Sequence, residues 1–182
     1  MILEAAHFQT DTDRNIHIFR DGTDVEHVEK KLATIARELG YSLASLHGDR
    51  LTTEAEVLRE LAETLGFPSE GYGPNYENLS WNGALDFLRN LRWPPRSPTP
   101  GEPSNGHIIL YSNPSHLISA NPIEFATLLD VLGTGSRVEG GELLVHVVVG
   151  PMTFRHESFS NILSISRQFC EECQNSDEDE SD

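Results

Sequence analysis

Cysteine is almost missing from the 182 residues, with only Cys170 and Cys173 present. Two thiols cannot build a disulfide framework. Their Cys-x-x-Cys spacing is half of a zinc site, but no second pair exists and His156 is the only imidazole nearby in the chain. A redox pair belongs at a strand-to-helix turn, whereas this one runs into an acidic end. Neither a metal nor a cofactor is therefore expected. Basic residues are also scarce: 13 Lys and Arg stand against 29 Asp and Glu, a formal net charge of -16. Residues 171–182 hold seven of those acids and no base, so the rest of the chain is acidic in its own right, at about -9. Such a surface repels phosphate backbones, and direct nucleic-acid binding is not expected. It attracts basic partners and speeds their encounter; it also keeps a protein soluble. There is no run of about 18 apolar residues, so neither a transmembrane helix nor a membrane partner is expected. Met1 to His7 lacks the basic and long apolar regions of a signal peptide, which points to the cytoplasm.

Catalytic signatures are missing as well. No Gly-x-Gly-x-x-Gly or Walker-type loop follows a strand pattern, and there is no Gly-x-Ser-x-Gly elbow. No two histidines are spaced His-x-x-x-His. They fall at 7, 17, 27, 47, 107, 116, 146 and 156. His17, His107 and His146 lie in strand patterns, where an imidazole is more often a packed residue than a ligand. With so many acids, no carboxylate pair stands out for acid–base work. No catalytic residue is assigned, and a non-enzymatic role is expected.

What is present is a regular alternation of patterns. Hydrophobic residues make up 37% of the chain, enough for a core. The length fits one domain with an extension and a tail. Residues 1–14 are polar and are expected to be loose. Asn15 to Arg20 alternates apolar and polar, as a short strand does. Thr23-Asp24-Val25-Glu26 has the form of a capping box, and Val25, Val28, Leu32, Ile35 and Leu39 follow at helical spacing up to Gly40. Tyr41 to His47 predicts a second strand. Thr53-Glu54-Ala55-Glu56 is another capping box, opening a helix whose stripe is Val57, Leu58, Leu61 and Leu65 and which Gly66-Phe67-Pro68 stops.

Residues 69–79 form a turn-rich loop. Trp81, Ala84, Leu85, Leu88 and Leu91 give a third helical stripe. Pro94 to Pro103 is too rich in proline for a helix or a central strand. His107 to Tyr111 is a nearly continuous apolar run, as in a strand covered on both faces. Asn121 is an N-cap with Pro122 at the first helical position and Glu124 at the third. Gly133, Gly135, Gly140 and Gly141 are expected to break the chain. Leu143 to Val149 is the strongest strand pattern. Phe159 to Phe169 is a possible helix, and an acidic, disordered end follows. Strands alternating with helices favour an α/β fold with a small, mainly parallel sheet of three or four strands. The organisation expected is an N-terminal strand-plus-helix extension over 1–40, a domain over 41–151 and a C-terminal segment over 152–182.

The order of short motifs within residues 41–150 resembles the barstar family of ribonuclease inhibitors, which includes immunity proteins. Gly66-Phe67-Pro68 precedes Tyr72-Gly73-Pro74-Asn75. Then comes Ser80-Trp81-Asn82-Gly83-Ala84-Leu85-Asp86-Phe87-Leu88-Arg89-Asn90-Leu91-Arg92-Trp93. Asn121 to Leu132 is similar to the family's third helix and Leu144 to Val149 to its last strand. The resemblance implies a barstar-like fold whose acidic helix and preceding loop block a basic ribonuclease or nuclease toxin. A carboxylate presented there enters the cationic pocket that clamps phosphate.

The loop before Trp81 is longer than usual in the family, and two registers follow. One places Glu77 on the family's first acidic position and puts Trp81 where its dominant carboxylate belongs. The other anchors on Trp81 and places Asp86 on the dominant position with Asn82 on the first. The second also aligns Leu88, Leu91 and Trp93 and is preferred. The partner-binding candidates are Tyr72, Gly73, Asn75, Glu77, Trp81, Asn82, Asp86 and Trp93. Trp81 shares its stripe with Leu85 and Leu88, so its spacing suits core and contact equally. Asn82 and Asn90 stand where the family has acids. The alternative is a barstar-fold regulatory module with a non-nuclease partner.

Overall fold

The computed structural model describes residues 5–8, 16–18, 24–89, 106–135 and 144–150. The expectations for Pro94 to Pro103, Gly140, Gly141, Phe159 to Phe169, Cys170, Cys173 and the acidic end lie outside the described residues, as do Asn90 and Trp93. The described chain forms β1 (Ile16–Ile18), α1 (Val25–Leu39), β2 (Ser42–His47), α2 (Glu54–Leu65), α3 (Trp81–Arg89), β3 (Gly106–Ser112), α4 (Ser115–Ala120), α5 (Pro122–Gly135) and β4 (Leu144–Val149). Among these residues the strands form one four-stranded sheet in the order β1-β4-β3-β2, and every pairing is parallel. This is the α/β architecture the alternating patterns favour.

Local chemistry sets the helix ends. Thr53 and Glu56 close a reciprocal capping box on α2, with the Glu56 side chain also accepting from Thr52. These bonds, the backbone N–H of Thr52 first, hold the Glu56 carboxyl below its ordinary pKa. On α1 the cap is Asp24, whose carboxylate accepts from the Glu26 N–H. The capping box expected from Thr23 is thus corrected by one residue. Gly40 and Gly66 terminate α1 and α2 in the left-handed region. Asn121 caps α5, its Oδ1 accepting from the Glu124 N–H at 3.4 Å.

The central strand β3 is buried at all seven positions. Ile109 and Tyr111 face one hydrophobic cluster, and Ile108 and Leu110 face another. The larger cluster joins the sheet to α2, α3, α4 and α5. The smaller one packs α1 and the 3-10 turn at Ala5–Phe8 against the opposite face. Phe8 is fully buried there, so this part of the N-terminus is not the loose segment its polarity suggests. The Tyr41 hydroxyl donates to the Phe8 carbonyl at 3.2 Å.

One element goes unread in the sequence and one expectation is corrected. The short helix α4 has no clear period of its own, and its Leu117 and Ile118 are buried by distant segments, against α5 and the turn at Gly48–Arg50. Gly133 and Gly135 lie inside α5 rather than ending it. A Cβ on Gly135 would stand 2.5 Å from Leu88 Cβ, so this glycine lets α5 and α3 touch closely. No helix among the described residues is long and apolar enough to cross a membrane.

Candidate partner-binding site

The loop from Phe67 to Ser80 is a succession of turns closed by its own backbone. Tyr72 N–H donates to the Ser69 carbonyl, Tyr76 N–H to Gly73, Asn78 N–H to Tyr72 and Leu79 N–H to Tyr76, all at 3.0–3.1 Å. Gly71 (φ 89), Gly73 (φ 82) and Tyr76 (φ 58) take left-handed backbone. The strain at Tyr76 is offset by its side chain, whose hydroxyl donates to the Phe67 carbonyl at 2.8 Å. Glu77 is exposed, and its Oε1 accepts from Asn75 Nδ2 at 3.1 Å. Its own backbone N–H first, and the Asn75 amide after it, hold the Glu77 carboxyl below its ordinary pKa. A Cβ on Gly73 would run into that carboxylate.

Aromatic rings join the loop to α3. The Phe87 ring lies 4.8 Å from Phe67 and meets Tyr72 edge-on at 5.5 Å. Tyr72 also covers Gly83, where a Cβ would sit 3.5 Å from its Cε1. Ser80 precedes α3 and caps it, its Oγ accepting from the Gly83 N–H at 3.3 Å. On its other flank α3 meets α5: Trp81 Nε1 donates to Glu124 Oε2 at 3.0 Å, and Leu88 reaches Gly135. Ala84 and Leu88 point into the core.

A helix clasped in this way has one stripe left for solvent. With about 3.6 residues per turn, positions 82, 86 and 89 share that stripe. Asn82, Asp86 and Arg89 are exposed, with Leu85 half-buried beside them. Asp86 therefore leaves the apolar stripe, as its flanking by Leu85 and Phe87 suggests. The candidates divide accordingly. Tyr72 and Trp81 are half-buried walls on opposite flanks, Gly73, Asn75 and Glu77 shape the loop, and Asn82 and Asp86 form the ridge. Trp81 packs on the core and also edges the ridge, a position compatible with both readings of its spacing. Glu124 was missed by reasoning from the sequence. Its only local signal was helix-capping, while its bond to Trp81 spans 43 residues.

From Thr53 to Arg89 the described surface carries Glu54, Glu56, Glu60, Glu63, Glu70, Glu77 and Asp86 against only Arg59 and Arg89. His17, His107 and His146 are buried in strands, and no group of three or more His, Cys, Asp or Glu among the described residues is placed to hold a metal ion. A search of curated proteins finds no match to the chain. A comparison with protein families matches residues 41–150 to the family described as Barstar (barnase inhibitor), whose members are inhibitors that bind ribonucleases rather than enzymes. That span is more than half of the 182 residues and contains β2 to β4, α2 to α5 and the clasped helix with its loop, so the chain belongs to the barstar family.

Proposed function

We propose that this protein binds and blocks a basic ribonuclease or nuclease toxin, acting in the cytoplasm through α3 and the loop before it. The observation that carries this reading is the exposed Asn82–Asp86 ridge, clasped between an aromatic-braced loop and α5 in a member of an inhibitor family. Asp86 is the central carboxylate, suited to a paired, charge-assisted contact with an arginine or lysine in the partner's phosphate-binding cleft. The start of α3 at Trp81 supports the register anchored there, with Asn82 on the family's first acidic position. Glu77 contributes from the loop, held ionised by Asn75 and its own backbone. Tyr72 and Trp81 are the aromatic anchors, Gly73 and Asn75 set the loop's shape, and Trp93 completes the set. Residues 41–151 act as the inhibitor domain, with 1–40 an extension and 152–182 a C-terminal segment.

The binding energy of such a face concentrates in a few desolvated groups. Titration of the full chain into barnase and a panel of other basic ribonucleases, with RNA cleavage as readout, tests the reading. Asp86→Ala is expected to weaken the complex at least a hundredfold, about 3 kcal/mol or more, with the fold unchanged by circular dichroism. Absence of any bound or inhibited basic ribonuclease, or an Asp86→Ala variant that inhibits as well as the parent, overturns it. The second reading, a regulatory module with a non-nuclease partner, is favoured by Asn82, an uncharged residue on the ridge where the family has an acid. It predicts that Asn82→Asp leaves every nuclease affinity unchanged.

A further inference from the structure

Ile123 is the one large hydrophobic side chain among the described residues that stands well exposed, at 74%. A single exposed apolar residue is ordinary by itself. Its position gives it meaning. It lies in the first turn of α5 next to Glu124, which accepts the Trp81 indole N–H at 3.0 Å. Trp81 and Leu88 both meet α5, so α3 and α5 run side by side with their N-terminal ends together. Trp81 and the half-buried Leu85 therefore line the flank of the ridge opposite the loop. Glu124 satisfies the indole N–H, so a partner can cover the Trp81 ring without stranding a polar group. The first turn of α5 carries no base; its charged side chain is Glu124.

Resting on the inhibitor reading, we propose that the partner-binding face extends onto the N-terminal end of α5. Glu124 positions the Trp81 indole at the edge of the ridge, and Ile123 supplies an apolar contact beside it. The occupant this surface fits is a basic ribonuclease that carries an apolar side chain next to its cationic cleft. The acidic ridge accounts for steering and the central ion pair. The Trp81–Leu85–Ile123 shelf accounts for selection among basic nucleases, since charge alone attracts all of them.

The test uses the full chain and the ribonuclease bound most tightly in the panel above. Ile123→Ser is expected to raise Kd about tenfold through a faster off-rate, with the on-rate unchanged. Glu124→Gln keeps an acceptor for the indole and is expected to stay within about threefold of the parent. Glu124→Ala is expected to weaken binding about tenfold and to move the Trp81 indole N–H resonance of the unbound protein, while Glu124→Gln leaves that resonance nearly in place. Ile123→Ser and Glu124→Ala variants that bind like the parent, while Asp86→Ala does not, overturn the extension and leave the inhibitor reading standing. Failure of the parent to bind any basic ribonuclease overturns both. An indole resonance indifferent to Glu124→Ala overturns the positioning role whatever the affinities.

Discussion

The two faces of the sheet are built differently. The face under α2 to α5 is almost wholly apolar, with Phe125, Leu128, Leu61, Leu88 and Leu117 at or below 1% exposure. The face under α1 is smaller and is partly polar. There His17 of β1 and His146 of β4 lie 3.1 Å apart through Nε2 and Nδ1, with the Phe8 ring 5.0–5.2 Å from each and Tyr41 stacked over His146 at 6.3 Å. Burial pushes His146 down to about 4, against a weaker upward pull from the Phe8 backbone. His107 is also pushed to about 4 by burial, beside the Ser42 hydroxyl. The larger face, whose helices all fall within the family match, relies on apolar packing, with His107 of β3, on the same side of the strand as Ile109 and Tyr111, its buried titratable exception. The smaller face, whose α1 and Phe8 precede that match, ties its edge strand β1 to β4 through the His17–His146 contact, in which burial disfavours charge on His146.

The largest expected effect on stability falls on the apolar face. Phe125→Ala should cost about 3–5 kcal/mol, through lost burial and the cavity left beside Tyr111, read as a lower urea midpoint. A much smaller loss would mean that α5 is not the keystone of that face.

Acid should act chiefly on the smaller face, with a share from His107 on the larger one. The folded pKa of His146 lies below its unfolded value near 6.5, so the unfolded chain takes up a proton that the folded chain refuses. Stability is then level above about pH 6.5 and falls as pH drops from there toward 4. Each such histidine contributes about 1.4 kcal/mol per pH unit, or about 2 kcal/mol by pH 5. Urea unfolding between pH 7.5 and 5 checks this. His146→Leu should flatten the slope, leaving mainly the share of His107. An unchanged slope would show that His146 is not what titrates.

The smallest effect returns to the apolar face. The Tyr111 hydroxyl is buried without a hydrogen-bond partner among the described residues, and burial raises its pKa. Tyr111→Phe removes an unpaired polar group. It should therefore leave stability unchanged or raise it by up to about 1 kcal/mol, a small rise in thermal midpoint.

Much of this was legible in the chain because it is written locally. The Thr53–Glu56 box, the Gly40 and Gly66 stops and the Asn121-Pro122 start each depend on residues within one turn. The ridge was legible in the same way, since Leu85 and Phe87 flank Asp86 and turn it outward. Phe8 was not, because a lone aromatic in a polar stretch has no period. Neither was the continuation of α5 through Gly133 and Gly135, because what holds that glycine in the helix is Leu88 of another helix.

By itself, then, the sequence determined the order of the strands and of every helix but α4, the acidic charge and the motif order that places the chain in its family. Those rest on composition and on residues close together in the chain. Only the tertiary structure decided that β1 lies beside β4, pairing His17 with a residue 129 positions away. It alone turned Glu124 from a helix-start residue into the partner of Trp81. Contacts between distant segments leave no periodic trace in either segment, because each is specified by the shape of the other.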